Sequence, residues 1–259
     1  METVAPLWQR FHPGHVIGRR VLGYGDVPST MNLAWDLSDH GAVNGTAVVA
    51  ETQSQGRGRF GRRWTAAPGD ALLVSIILRG EVSPIGPLLP IQTSLAVHST
   101  VHDLSGLDCS IKWPNDLLLA GRKLCGILVE VRADTAGNRN AVVGVGLNLN
   151  LDPDGHDDIR ETATSIRRET GISLTSAQAA ESLFAHLTEE IACPADDTLH
   201  RWKQRLDTLG KHVTVYQRDG SVTGVAEDVS PVGTLLLKSD DGTLKEITEG
   251  DVSLTGPFP

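Results

Sequence analysis

The sequence predicts an α+β protein in two parts: a larger one in which strands and helices share a core, and a smaller all-β one behind it. Three observations carry this. Between residues 46 and 147, short apolar runs closed by Gly, Pro or Asn read as strands, with one run of helix length among them. Behind Thr175, apolar residues recur at helical spacing. After Gly210 the texture changes to five short runs separated by turn dipeptides. With 259 residues, of which 40% are hydrophobic, the chain has enough apolar surface for a sizeable core.

The first element is a short helix over 29–41, with Ser29 as its cap and Gly41 as its stop. A buried strand over 46–50 runs straight into the segment 51–59, and a second apolar strand covers 72–78. Gly80, Pro84, Gly86 and Pro87 end it, and a substantially buried helix is expected over 88–104. Three strand-like runs follow at 109–113, 123–131 and 141–147. The polar link 132–140 makes the last two a hairpin. Thr175 and Gln178 match a capping box, and Ala180, Leu183, Phe184, Leu187 and Ile191 form the apolar stripe of the helix they start. Leu199, Trp202, Leu206 and Leu209 suggest one more helix. The strands of the small part are expected at 212–217, 222–229, 234–239, 244–248 and 252–255, as a small barrel or sandwich. The boundary divides the chain into 1–209 and 210–259.

The formal charge of −9 argues against a general nucleic-acid binder, which carries a basic excess. Cys109, Cys125 and Cys193 have no metal-type spacing and read as free thiols of a reducing compartment. Residues 1–14 hold no apolar stretch of a secretory signal, and no apolar run nears the roughly 20 residues of a membrane span. The expected location is the cytoplasm, with neither nucleic acid nor membrane as partner.

The most informative segment is Gly56-Arg57-Gly58-Arg59-Phe60-Gly61-Arg62-Arg63-Trp64. Its glycines satisfy the G-x-G-x-x-G spacing of a dinucleotide turn, which requires a strand, a tight turn and then a helix. Here Pro68 and Gly69 follow quickly and the next periodic run is a strand, so that reading fails. Glycine lets backbone approach a ligand closely, and arginine forks suit phosphate or carboxylate oxygens. Together they suit a flap over a polyanion such as ATP; a solvated basic loop is the plainer alternative. Lys112-Trp113-Pro114-Asn115-Asp116 ends a strand and presents an amide beside a carboxylate, although Pro-Asn-Asp is also ordinary turn chemistry. Lys123 opens the next strand, either as an exposed strand-end lysine or as a cation over developing negative charge. Gly144-Val-Gly-Leu-Asn148-Leu-Asn150 puts glycines inside a strand, a mark of close approach by a ligand or another backbone.

These segments, with Arg122-Lys-Leu-Cys-Gly-Ile-Leu-Val-Glu130, resemble the biotin protein ligases in order and spacing. The resemblance runs from about residue 20 to the C-terminus. It implies a core like that of class II aminoacyl-tRNA synthetases, a mixed, largely antiparallel sheet with flanking helices, followed by an SH3-like small β-barrel. It also implies an ATP-dependent enzyme that makes biotinyl-5′-AMP and passes biotin to a lysine of a carboxylase's biotin carboxyl carrier domain. Ser29 and Thr30 match the pair that contacts the biotin head group. Met31 stands where the family often has Asn, and Gln53 matches the glutamine lining the same pocket. Gly56, Arg57, Gly58 and Arg59 match the flap over biotin and the adenylate. Arg59, Arg62, Trp64, Asn115, Asp116 and Asn148 fall to the ATP end, with Asp116 the one metal-side candidate.

Lys123 is the position expected to be essential, reaching biotin as well, with Arg57 and Arg59 as its catalytic companions. The physical sense is that biotin's carboxylate and the α-phosphate repel each other until Arg57, Arg59, Lys123 and Mg²⁺ neutralise them. No enzyme nucleophile is needed, in keeping with the absence of a Ser/His/Asp or Cys/His pattern. Members that also repress transcription carry a DNA-binding domain before the Ser-Thr motif. Only 28 residues precede Ser29, so the expectation is a ligase without operator binding. By analogy with the family, a homodimer through the central sheet is expected. Lipoate ligation is the nearest rival, disfavoured by the Gly-Arg flap and Lys-Trp-Pro-Asn; a non-catalytic biotin sensor is disfavoured by Lys123.

Overall fold

The computed structural model describes residues 5–80, 86–134 and 137–253. Strands β1 (Trp8–Phe11) and β2 (Arg20–Val27) precede helix α1 (Thr30–Asp39). Then come β3 (Thr46–Gln53), β4 (Ala71–Arg79), α2 (Leu89–Ser105), β5 (Ser110–Lys112), β6 (Asp116–Leu119) and the long hairpin of β7 (Arg122–Ala133) and β8 (Arg139–Asn148). Helices α3 (Ile166–Thr170), α4 (Ser176–Ala192) and α5 (Ala195–Lys203) lead to β9 (His212–Gln217), β10 (Gly220–Val229), β11 (Leu235–Ser239), β12 (Leu244–Ile247) and β13 (Asp251–Ser253). The first eight strands form one sheet in the order β1-β2-β3-β4-β8-β7-β6-β5. Its β2–β3 pair is parallel and the other neighbours are antiparallel. The last five form an antiparallel sheet, β12-β11-β10-β9-β13.

The central strands read as continuous apolar runs because helices cover both faces of the sheet. Successive residues of β3 alternate: Ala47 and Val49 join the larger core with α2 and α4, while Val48 and Ala50 join a smaller core with α1. Helix α1 seats Met31, Ala34 and Trp35 in that smaller core. The capping box of α4 forms as expected, with Thr175 and Gln178 exchanging side-chain-to-backbone bonds. The apolar residues of the small sheet, Val213, Val215, Leu235, Leu237 and Val252 among them, belong to the same core cluster as α2 and β4. Trp113 joins the two sheets: its backbone N–H donates to Thr208 Oγ1 at 2.9 Å and its indole N–H to Gly233 O at 3.0 Å.

Several expectations change. β1 and β2 are strands that apolar periodicity misses, because Arg20-Val-Leu-Gly-Tyr-Gly-Asp-Val is broken by glycine and charge. Ser29 takes the cap position of α1, yet its hydroxyl makes no capping bond. The strand begun at Thr46 continues to Gln53, and the β7–β8 pairing extends to Ala133↔Arg139, shortening the expected loop. The run 109–113 yields only the three strand residues of β5, and Trp113 already belongs to the turn into β6. Leu206 and Leu209 lie beyond α5: the backbone there leaves the helix to bridge Ile111, with Asp207 N–H donating to Ile111 O at 2.8 Å. Residues 254 and 255 of the last expected strand fall outside the described residues. Among the described residues no helix is long and apolar enough to cross a membrane.

Candidate active site

A cleft of about 730 Å³, counted to its open mouth, lies over the middle of the large sheet. Its floor is the β7–β8 hairpin, where Gly126 and Gly146 are directly paired across the strands. The Trp64 indole packs against this glycine pair. A Cβ on Gly146 would come within 2.5 Å of the ring, and one on Gly126 within 2.9 Å. Gly144, two residues along, leaves room for Met31, whose Sδ would be 2.7 Å from a Cβ there. The in-strand glycines therefore do mark close approach, but the approaching groups are side chains of the loop and of α1.

The 54–64 loop crosses the cleft without a helix after it. An isolated bridge pairs Arg57 with Arg63, and Trp64 N–H donates to Gly56 O at 3.0 Å. Gly56 is required by this closure, since a Cβ would meet Trp64 O at 2.1 Å. At the tip Phe60 takes φ 54° and Gly61 φ 75°, so the loop turns back within three residues. Arg59 points inward: its guanidinium donates to Asn115 Oδ1 at 3.1 Å and to Gly250 O of the small sheet at 3.3 Å. Burial lowers the pKa of Arg59, opposed by the nearby Asp116 carboxylate. Asn115 is held in turn, its amide donating to Ile127 O at 2.8 Å. Arg62 pairs with Asp251 on β13.

Lys123 enters β7 with its backbone tied on both sides: its N–H donates to Thr162 O at 2.7 Å and its carbonyl accepts from Thr164 N–H at 2.9 Å. Nζ sits 2.8 Å from Asp116 Oδ1 and 5.6 Å from the centroid of Trp64. This cation is therefore shared between a buried carboxylate and an aromatic face. At the other end of the cleft, Thr30 donates both its N–H (2.8 Å) and its hydroxyl (3.0 Å) to Gln53 Oε1. Ser75 Oγ, wholly buried on β4, donates to Thr30 Oγ1 at 2.8 Å. With its oxygen occupied twice, Gln53 keeps its NH₂ as the free polar end. Ser29 Oγ and Trp64 Nε1 are buried and find no hydrogen-bond partner among the described residues.

Of the residues singled out from the sequence, Thr30, Met31, Gln53, Arg57, Gly58, Arg59, Arg62, Trp64, Asn115, Asp116 and Lys123 line one cleft. Ser29 precedes Thr30 in the chain, and Gly56 lies where the loop closes on Trp64; neither lines the cleft. Asn148 does not reach the wall: its amide donates to Thr164 O at 2.9 Å, bracing the segment that holds Lys123 from behind. Ser75 and Asp251 were missed. Ser75 was signalled only as the one polar residue in an apolar strand, and Asp251 by nothing local. Burial pushes the Cys109 thiol up to about 12 and Cys125 well above its ordinary range, so neither is a thiolate near neutral pH.

Residues 23–148 match the model of the biotin/lipoate A/B protein ligase family, and residues 208–255 that of the biotin protein ligase C-terminal domain. The bifunctional ligase/repressor BirA of Bacillus subtilis (strain 168) is 29% identical over 249 residues, covering 92% of this chain and 75% of that protein. The biotin–[acetyl-CoA-carboxylase] ligase of Mycobacterium tuberculosis (strain ATCC 25618 / H37Rv) is 31% identical over 223 residues, 81% of this chain and 79% of that one. Among solved structures, the biotin protein ligase from Aquifex aeolicus in complex with biotin and ATP superposes with a TM-score of 0.77 at 26% identity, over 90% of this chain and 97% of that one.

Proposed function

Because this chain belongs to the biotin protein ligase family, we propose that the cleft binds biotin beside Thr30, Met31 and Gln53 and ATP beneath the 54–64 flap. The protein is an ATP-dependent ligase. A carboxylate oxygen of biotin attacks the α-phosphorus, the bond to the bridging oxygen breaks, and pyrophosphate leaves. The ε-amine of a lysine on a carboxylase's biotin carboxyl carrier domain then attacks the carbonyl carbon of biotinyl-5′-AMP. The new C–N bond replaces the C–O bond, AMP departs, and the amine gives up a proton.

The observation that carries this reading is the arrangement of one cleft with two polar ends. The Thr30–Gln53 pair with the unpartnered Ser29 hydroxyl suits a small polar head group. The Lys123–Asp116 and Arg59–Asn115 pairs suit a phosphate chain. Lys123 is the catalytic cation at the reacting carboxylate and α-phosphate, and Arg59 stabilises charge there from the flap. Trp64 and Arg62 border the nucleotide, and Asn148 serves by bracing Lys123.

A divalent cation fits as a companion of ATP. Among the described residues no group of three metal-ligating side chains stands together; of the two carboxylates lining the cleft, Asp251 is paired with Arg62 and Asp116 stands beside Lys123. That donor set suits Mg²⁺ held mainly by phosphate oxygens and water, with Asp116 as its protein ligand. Bound there, the ion would neutralise part of the phosphate charge.

The C-terminal sheet is assigned to an SH3-like small barrel. Past Ile127 the outer edge of β7 pairs with no strand among the described residues, which supports a homodimer through this sheet.

The test is incubation with ATP, Mg²⁺, biotin and a biotin carboxyl carrier domain, with mass spectrometry of the carrier. One biotinyl group on one lysine and release of pyrophosphate are expected. Labelling by lipoate but not by biotin would overturn the reading.

A further inference from the structure

Arg57, the first arginine of the flap, does not offer a free charge to the cleft. Its guanidinium lies 3.1 Å from Oε1 of Glu130, on β7. The other carboxylate oxygen, Oε2, accepts the indole N–H of Trp35 at 2.7 Å and lies 3.6 Å from Arg132. Arg132 in turn stacks over the Trp35 ring at 4.1 Å. Trp35 belongs to α1 and is buried, so its N–H needs an acceptor inside the protein. The Trp35 bond therefore fixes Glu130 before Arg57 arrives. An ion pair with one partner already immobilised loses less side-chain entropy than one between two mobile chains.

The three elements joined at Glu130 are those that surround the cleft. Helix α1 carries Thr30 and Met31 in its first turn, β7 carries Lys123 as its second residue, and the flap carries Arg59. Only Gly58 separates Arg57 from Arg59, so anchoring the first in this extended stretch aims the second at Asn115.

We propose that Glu130 is a positioning residue that latches the flap. Through Arg57 it holds the 54–64 loop over the bound adenylate, presents Arg59 to the reacting groups, and keeps the mixed anhydride from water until a carrier lysine enters. Arg57 is then a latch residue, and the charges that face phosphate belong to Arg59 and Lys123. This rests on the ligase reading above and adds to it the residue that closes the site.

The test uses Glu130→Gln, which keeps an acceptor for Trp35 and removes the charge facing Arg57. Release of preformed biotinyl-5′-AMP, followed by tryptophan fluorescence on mixing with excess biotin in the absence of ATP, should be about fivefold faster, the size suited to a part-exposed pair with one fixed partner. KM for biotin should rise by a similar factor, while the single-turnover rate of pyrophosphate formation at saturation stays within about twofold. Arg57→Ala should release the adenylate as fast as Glu130→Gln, and the double variant should release it no faster than either single one. Limited trypsin digestion without ligands should cleave the flap arginines sooner in Glu130→Gln than in the parent.

Unchanged adenylate retention in Glu130→Gln, or additive effects in the double variant, would overturn the latch. A parent protein that releases no pyrophosphate with biotin would overturn the ligase reading instead, and the trypsin comparison would still decide the latch.

Discussion

Lys123 and Asp116 form a pair whose members cannot be judged separately. The Asp116 side chain is 10% exposed and Lys123 Nζ is its counter-charge at 2.8 Å. Lys123→Ala should lower pyrophosphate release by about 100-fold or more, as loss of a positioned cation at developing charge does. It should also cost stability, because the buried Asp116 carboxylate loses its ion-pair partner. The double variant Lys123→Ala, Asp116→Asn should recover the stability and not the activity, as read by thermal melting beside turnover. Near-normal turnover in the single variant would remove Lys123 from the catalytic role. At this scale the sequence was most legible. Arginine, lysine and asparagine at motif spacing announce anion chemistry, whereas Ser75 donating to Thr30 follows only from β4 lying beneath α1.

The β7–β8 hairpin is a floor whose glycines are spaces for particular side chains. At Gly146 an added Cβ would meet the rigid Trp64 ring at 2.5 Å, while at Gly144 it would meet the flexible end of Met31 at 2.7 Å. Gly146→Ala should therefore destabilise by about 1–3 kcal/mol and raise KM for ATP, since Trp64 must leave the floor. Gly144→Ala should cost less, because a methionine can rotate away. Chemical denaturation of both variants checks this, and equal losses would argue against Trp64 as the rigid neighbour. The elements legible from periodicity were those with one apolar face or an unbroken apolar run, such as α4 and β4. β1 and β2 were not legible, since their place in the sheet comes from pairing with a neighbour.

Across the whole molecule, the flap is anchored on both sides of the cleft. Glu130 of the large sheet holds Arg57, and the small sheet holds the tip through Asp251 with Arg62 and through Gly250 O with Arg59. Asp251→Asn should raise KM for ATP about two- to fivefold with little change in melting temperature, since the Arg62 side chain is 51% exposed and its pairing is screened. Steady-state kinetics check it, and an unchanged KM would mean that the small sheet does not steady the flap. The last strand thus takes part in a site whose motifs all lie before residue 151.

The sequence by itself determined the chemistry: a glycine-arginine flap, a lysine at a strand start, two asparagine-bearing segments, and the α+β class that carries them. These are local properties, because each depends on residue types at short spacing. Only the tertiary structure decided how the charges are shared. It turned Asn148 inward behind Lys123, set Lys123 against Asp116, and committed Arg57 to Glu130. It also brought Arg59 to Gly250, 191 residues away. The reason is that charge pairing and hydrogen bonding act over a few ångströms of space, and separation along the chain says nothing about which carboxylate or carbonyl an arginine will meet.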